Sequence, residues 1–170
     1  MIKDTKIIVA TTLTNSIITG YYPTCHAAIQ SWANSEYVDE VMIAEGFSED
    51  QTVSTVKSIS KKVNVISEKP WPLNKWNWGN LYDQYDMIYK TCRNRNEDLI
   101  MIYLSSDQVF TNDFRNELFV ALKKLIEDKN SDFFLLPFLK TINYEFITCP
   151  YGYEEHFHLH SALKFDNKNR

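Results

Sequence analysis

Short runs of β-branched and aliphatic residues alternate along the chain with stretches of helical periodicity, and this alternation restricts the architecture more than any other feature. Residues 6–12, KIIVATT, read as a buried strand, because a continuous apolar run leaves no face for solvent. Pro23 can open a helix to about Asn34, with Ala28, Ile29 and Trp32 on one face. Residues 38–44 read as a second strand. Ser48 followed by Gln51 fits a capping box for a helix to about Lys61, with Val53, Val56 and Ile59 on one stripe. Residues 63–66 make a short third strand. The segment EKPWPLNKWNWGN follows, and its prolines at 70 and 72 make it a loop.

A helix over Leu81–Cys92 comes next, with Leu81, Tyr85, Ile88 and Cys92 in register. Residues 98–104, DLIMIYL, are the most apolar strand and so a central one. Thr111 or Asn112 caps a long helix to about Asp128, burying Phe114, Leu118, Ala121, Leu122 and Leu125. Residues 132–139 and 156–163 complete the strands. Strands alternating with helices predict an α/β fold with a mostly parallel sheet covered on both faces. Ligands of such sheets bind outside the carboxyl ends of the strands, which points to Thr11–Thr12, Glu45 and Ser105–Gln108.

The 170 residues suit a single domain, and the net charge of −4 gives no basic field for nucleic acid or anionic lipid. No apolar run approaches a signal-peptide core of roughly 7–15 residues or a membrane span of about 20. Cys25, Cys92 and Cys149 form no CxxC and read as reduced thiols of a cytoplasmic protein. The glycines, Gly20, Gly46, Gly79 and Gly152, allow neither GxGxxG nor a P-loop.

Asp107 ends an apolar strand in LSSDQVF, beside two small hydroxyl residues. A carboxylate there suits a divalent cation carrying a diphosphate, since Mg2+ and Mn2+ take oxygen ligands and only one or two protein carboxylates. Asp107 would equally serve as a turn former. Glu45, in EGFSED, could accept hydrogen bonds from a nucleobase imide or a ribose hydroxyl, or be a solvated loop acid, with Gly46 turning the chain beside it. Trp71, Trp76 and Trp78 could stack on a ligand or anchor packing. The same holds for Tyr151 and Tyr153. His156, His158 and His160 share one strand face, more in keeping with a polar exposed face than with a metal site.

Several segments together resemble family 2 glycosyltransferases. VDEVMIAEGFSEDQTV is similar to that family's VDEIVVVDGGSTDGTV segment, and SSDQVF resembles its DADEVF-type segment with the DxD motif. KIIVATT fits its first strand, and PYGYEEHFHLHSALKF is similar to its "RLFR" region. The resemblance covers residues 6 to about 165. It implies a GT-A (Rossmann-like) three-layer sandwich and inverting transfer of a sugar from a UDP- or GDP-sugar, assisted by Mn2+ or Mg2+, to an acceptor the sequence does not name. Glu45 takes the place of the Asp that contacts the nucleoside. Asp107 takes that of the last Asp of the DxD, the metal ligand, and Thr11, Thr12 and Ser106 would lie near the nucleotide. The sequence departs from the pattern at Ser105, where the first Asp would stand, at Gln108, and at Tyr85-Asp86, where Arg-Asn is common. The family's acceptor-binding half looks short or missing, so that further chain or a partner subunit would complete the site. Glu154 and Glu155 are the candidates for a catalytic base. The alternative is a catalytically inactive nucleotide-sugar binding module.

Overall fold

The computed structural model describes residues 4–66, 78–110, 112–128, 133–135, 139–142, 145–148 and 161–165. In chain order its first half comprises β1 (Lys6–Leu13), α1 (Tyr22–Ala33), β2 (Glu40–Glu45), α2 (Thr52–Ile59), β3 (Val63–Ile66) and α3 (Trp78–Arg93). The second half comprises β4 (Leu99–Tyr103), α4 (Asn112–Glu127), β5 (Phe133–Leu135), β6 (Leu139–Ile142), β7 (Glu145–Thr148) and β8 (Ser161–Phe165).

The main sheet has the order β3-β2-β1-β4-β8-β5. β1 pairs in parallel with β2 (Thr11 opposite Ile43) and with β4 (Val9 opposite Ile102), and β2 pairs in parallel with β3. β8 is antiparallel to both β4 and β5, so it alone runs against the other strands of the sheet. The strands expected near 6–12, 38–44 and 98–104 therefore lie side by side with their carboxyl ends at one edge.

The period of two along each strand sorts the core into layers. Ile7, Val9 and Leu13 of β1, Val41 and Ile43 of β2, and Ile100 and Ile102 of β4 face one side. There they pack with Ala28, Ile29 and Trp32 of α1, Val56 of α2, and Leu118, Leu122 and Leu125 of α4. Ile8, Ala10, Met42, Ala44, Leu99 and Met101 face the other side, against Met87, Ile88 and Cys92 of α3 and Phe165 of β8. Burial on both faces explains why these strands read as unbroken apolar runs. Cys25 and Cys92 are buried. No helix of the described residues is long and apolar enough to cross a membrane.

Several expectations change. The capping box does not form: α2 begins at Thr52, Gln51 makes no side-chain cap, and Ser48 is engaged elsewhere. Asp50 accepts the Thr52 N–H instead, at 2.8 Å. The single strand over 132–139 is two strands in two sheets, β5 and β6, with Pro137 between them; its ring removes the amide that a continuous ladder would use. β6 and β7 form an antiparallel pair that the sequence reading omits. The final strand lies at Ser161–Phe165 rather than 156–163, and Trp78 opens α3 rather than ending a loop. Trp71, Trp76, Thr111, Cys149, Tyr151, Tyr153, His156, His158 and His160 lie outside the described residues, as do Glu154 and Glu155.

Candidate functional site

In the order β3-β2-β1-β4 the chain leaves β1 toward β2 and β3, then returns to place β4 on the other side of β1. That reversal opens a crevice at the carboxyl ends of β1 and β4, where open α/β sheets bind ligands. Three loops surround it: residues 14–20 after β1, 46–51 after β2 and 104–110 after β4.

The first two loops form one interlocked unit. Asn15 N–H donates to Ser48 Oγ at 2.7 Å, and Glu49 N–H donates to Asn15 Oδ1 at 2.8 Å. Asp50 Oδ2 accepts the N–H groups of Ile17 (3.1 Å) and Ile18 (2.9 Å). Burial opposes the Asp50 charge, yet hydrogen bonds from Thr52 and these amides hold its carboxyl below the ordinary value. Glu45 closes the unit: Oε2 accepts Phe47 N–H at 2.8 Å, while Oε1 accepts Ser48 N–H at 2.6 Å and the Ser48 hydroxyl. Its residue is only 2% exposed. The left-handed residue of this loop is Phe47, at φ 60°, and not Gly46.

The third loop is fastened to α1. Trp32 Nε1–H donates to Gln108 O at 2.7 Å, and Phe110 N–H donates to Ser31 Oγ at 2.9 Å. The Trp32 and Phe110 rings pack at 6.5 Å between centroids. Gln108 closes the turn by accepting Ser105 N–H through its side chain at 2.9 Å, so the turn-forming role considered for Asp107 falls to Gln108. Burial raises the Tyr21 phenol well above its ordinary range, and the charge of Asp107 and a hydrogen bond to it raise it further. Tyr21 therefore stays protonated beside Asp107. Burial likewise raises the Cys25 thiol, against a hydrogen bond from Ser106.

Of the residues singled out from sequence, Thr12, Ser106 and Asp107 border the crevice. Asp107 is exposed, and Thr12 Oγ1 lies 3.4 Å from the Tyr103 hydroxyl. Thr11 is sealed in the core, its hydroxyl without a partner among the described residues, and Glu45 sits one strand farther out with both oxygens engaged. Tyr85, where the family pattern has Arg, packs edge-on against Tyr103 at 4.5 Å. Tyr21, Cys25, Trp32, Asn15 and Asp50 build the site but were not singled out. Only the Asp50–Thr52 pair carried a local signal, an Asp two residues before a helix. Among the described residues no group of three His, Cys, Asp or Glu side chains is placed to hold a metal. Asp107, an exposed hard-oxygen donor, still suits a cation that takes one protein carboxylate and completes its shell with phosphate and water.

A mostly parallel sheet of this order, covered by helices on both faces, is a GT-A Rossmann-like fold. Among solved structures the chain is similar to S. aureus TarS 1-349 in complex with UDP-GlcNAc, with a TM-score of 0.58 and 17% identity. That match covers 85% of this chain and 37% of the other. It is similar also to the mannosyltransferase PcManGT from Pyrobaculum calidifontis in complex with GDP-Man and Mn2+, with a TM-score of 0.51 and 15% identity over 75% of this chain and 34% of that one. The chain thus spans little more than a third of those structures. No family model and no curated protein sequence matches it. At such identities the likeness is one of fold.

Proposed function

We propose that the chain is the donor-binding part of a glycosyltransferase that uses a nucleoside-diphosphate sugar. The observation that carries this reading is the topology of a GT-A fold, in which Thr12, Ser106 and Asp107 lie at and just beyond the carboxyl ends of the adjacent strands β1 and β4. The neighbours' complexes with UDP-GlcNAc and with GDP-Man and Mn2+ support the ligand class. Asp107 would hold Mn2+ or Mg2+. Such a cation, when bound, neutralises charge on the departing diphosphate. The chain's own residues do the rest. Trp32 and Ser31 fix the loop that carries Asp107, and Thr12 offers a hydroxyl beside the crevice. α1 starts at this edge, so its dipole also favours negative charge there.

A nucleotide-sugar binding module without turnover is the second reading. It is favoured by Ser105, which supplies no charge where the resembling family has an Asp, leaving Asp107 as the one acid of that motif. Titration calorimetry of UDP and GDP with and without Mn2+, on the protein and on Asp107→Asn, tests the shared part of both readings. Asp107→Asn is expected to lower metal-dependent affinity at least tenfold and leave metal-free affinity unchanged. An unchanged Mn2+ dependence would remove Asp107 from the site. Release of sugar from UDP- or GDP-sugars separates the enzyme from the module.

A further inference from the structure

We infer that Phe47 is the platform on which the nucleobase stacks, and that Glu45 positions Phe47 without touching the ligand. The inference rests on the nucleotide-sugar reading above. An acid that contacts a base must present a free lone pair to it. Glu45 is only 2% exposed, and three of its roughly four acceptor sites are taken by Phe47 N–H, Ser48 N–H and the Ser48 hydroxyl. Those contacts instead fix the backbone on either side of the Phe47 ring.

The ring itself is held in an unusual way. Phe47 has φ 60°, a left-handed conformation in which a side chain crowds its own backbone and which a bulky residue rarely adopts. Gly46, the preceding residue, could have taken that conformation without crowding. The loop nevertheless places a phenyl group there, 48% exposed, at the carboxyl edge of β2. Ile17 and Ile18, also exposed, lie on the loop interlocked with it, their amides held by Asp50. An outward apolar ring on a backbone this firmly tied is preorganised for a flat, uncharged partner.

Placement selects the base over the other parts of the ligand. Asp107 follows β4, and Phe47 follows β2, with β1 between them. Neighbouring strands lie about 4.8 Å apart, so the strands that carry the two loops are about 10 Å apart along the edge. That matches the reach from diphosphate to base in an extended nucleotide. A base has a π-face whatever its identity, and stacking on an aromatic side chain is worth roughly tenfold to a hundredfold in affinity by alanine substitution.

Calorimetry on the full chain tests this with UDP, GDP and, as a probe without a base, pyrophosphate, all with Mn2+. Phe47→Ala should weaken UDP and GDP by about ten- to a hundredfold and leave pyrophosphate unchanged, and Phe47→Tyr should restore most of the loss. Phe47→Gly, which relieves the crowded backbone, should raise Tm relative to Phe47→Ala while binding nucleotide no better. Glu45→Gln should weaken UDP and GDP by the same factor. A changed UDP-to-GDP ratio would show that Glu45 contacts the base and overturn its positioning role. Nucleotide binding that survives Phe47→Ala would overturn the platform and leave the donor-binding reading intact. A wild-type protein that binds neither nucleotide nor pyrophosphate would overturn both.

Discussion

Asp50 accepts three backbone amides, Thr52 N–H on one oxygen and Ile17 and Ile18 N–H on the other. One residue thus caps a helix and ties the loop after β1 to the loop after β2. Its carboxyl is held below the ordinary value by the same hydrogen bonds, so the charged form is the one the fold uses. Asp50→Ala leaves these donors without their acceptor at once. It is expected to destabilise the protein by about 1–2 kcal/mol, the usual cost of losing an N-cap with its hydrogen bonds. Asp50→Asn, which keeps an acceptor oxygen, should cost less. Urea denaturation compares the three proteins, and an Asp50→Ala midpoint equal to wild type would show that the loops are held without it. Sequence reading put the cap on Ser48 because the S-x-x-Q spacing fits a capping box. The hydroxyl is drawn off by Asn15 and Glu45, a tertiary contact that no local pattern encodes.

β1, β2, β3 and the turn before β4 meet at the amino edge of the sheet in a charged cluster. Glu40, at the start of β2, accepts both Arg95 guanidinium nitrogens at 2.7 Å and Asn64 Nδ2 at 2.9 Å, with Lys6 Nζ at 3.2 Å. Burial works against the Glu40 charge, but these partners overcome it and hold the carboxyl at about 2. The folded state therefore binds this proton less tightly than the unfolded chain does. The resulting stability is fully present above about pH 4.5 and is lost as pH falls toward about 2. Wild type should lose stability between these limits more steeply than Glu40→Gln, and the two urea midpoints should converge at the acid end. Parallel acid profiles would mean that other carboxylates govern the transition. The elements themselves were legible where the pattern is strong. The runs at 6–12, 38–44 and 98–104 mark β1, β2 and β4, because burial on both faces removes polar alternation, and the short run at 63–66 marks the edge strand β3. The runs at 132–139 and 156–163 locate β5 and β8 only approximately, and they leave the β6–β7 pair unread. The insertion of β8 between β4 and β5 is a long-range pairing with no local signature.

Across the whole molecule, the ion-pair cluster and the crevice occupy opposite edges of one sheet. β2 separates Glu40 from Glu45 by five residue steps, about 17 Å, roughly twice the Debye length at physiological ionic strength. The two sites share no partner among the described residues and lie farther than about 10 Å apart, so their contributions to stability should be close to additive. The crevice itself came from the order of elements rather than from a motif: alternation predicted the parallel sheet, and the parallel sheet predicted the edge. The residues that shape it, Tyr21, Trp32 and Asn15, act through contacts between distant segments, so sequence gave no reason to single them out. Ligand bound at that edge stabilises only the folded state. A nucleoside diphosphate at a hundred times its Kd adds about 2.7 kcal/mol. A domain of this size gains about 2–4 °C in Tm per kcal/mol, so UDP or GDP with Mn2+ should raise Tm by roughly 5–10 °C. Glu40→Gln, at the far edge, should show the same shift from a lower starting Tm, whereas Asp107→Asn should lose the part that requires Mn2+. A thermal-shift series over both nucleotides, with and without Mn2+, checks all three proteins. No shift with either nucleotide at millimolar concentration would mean that the fold is present without the donor site, and would set aside the glycosyltransferase reading and the binding-module reading together.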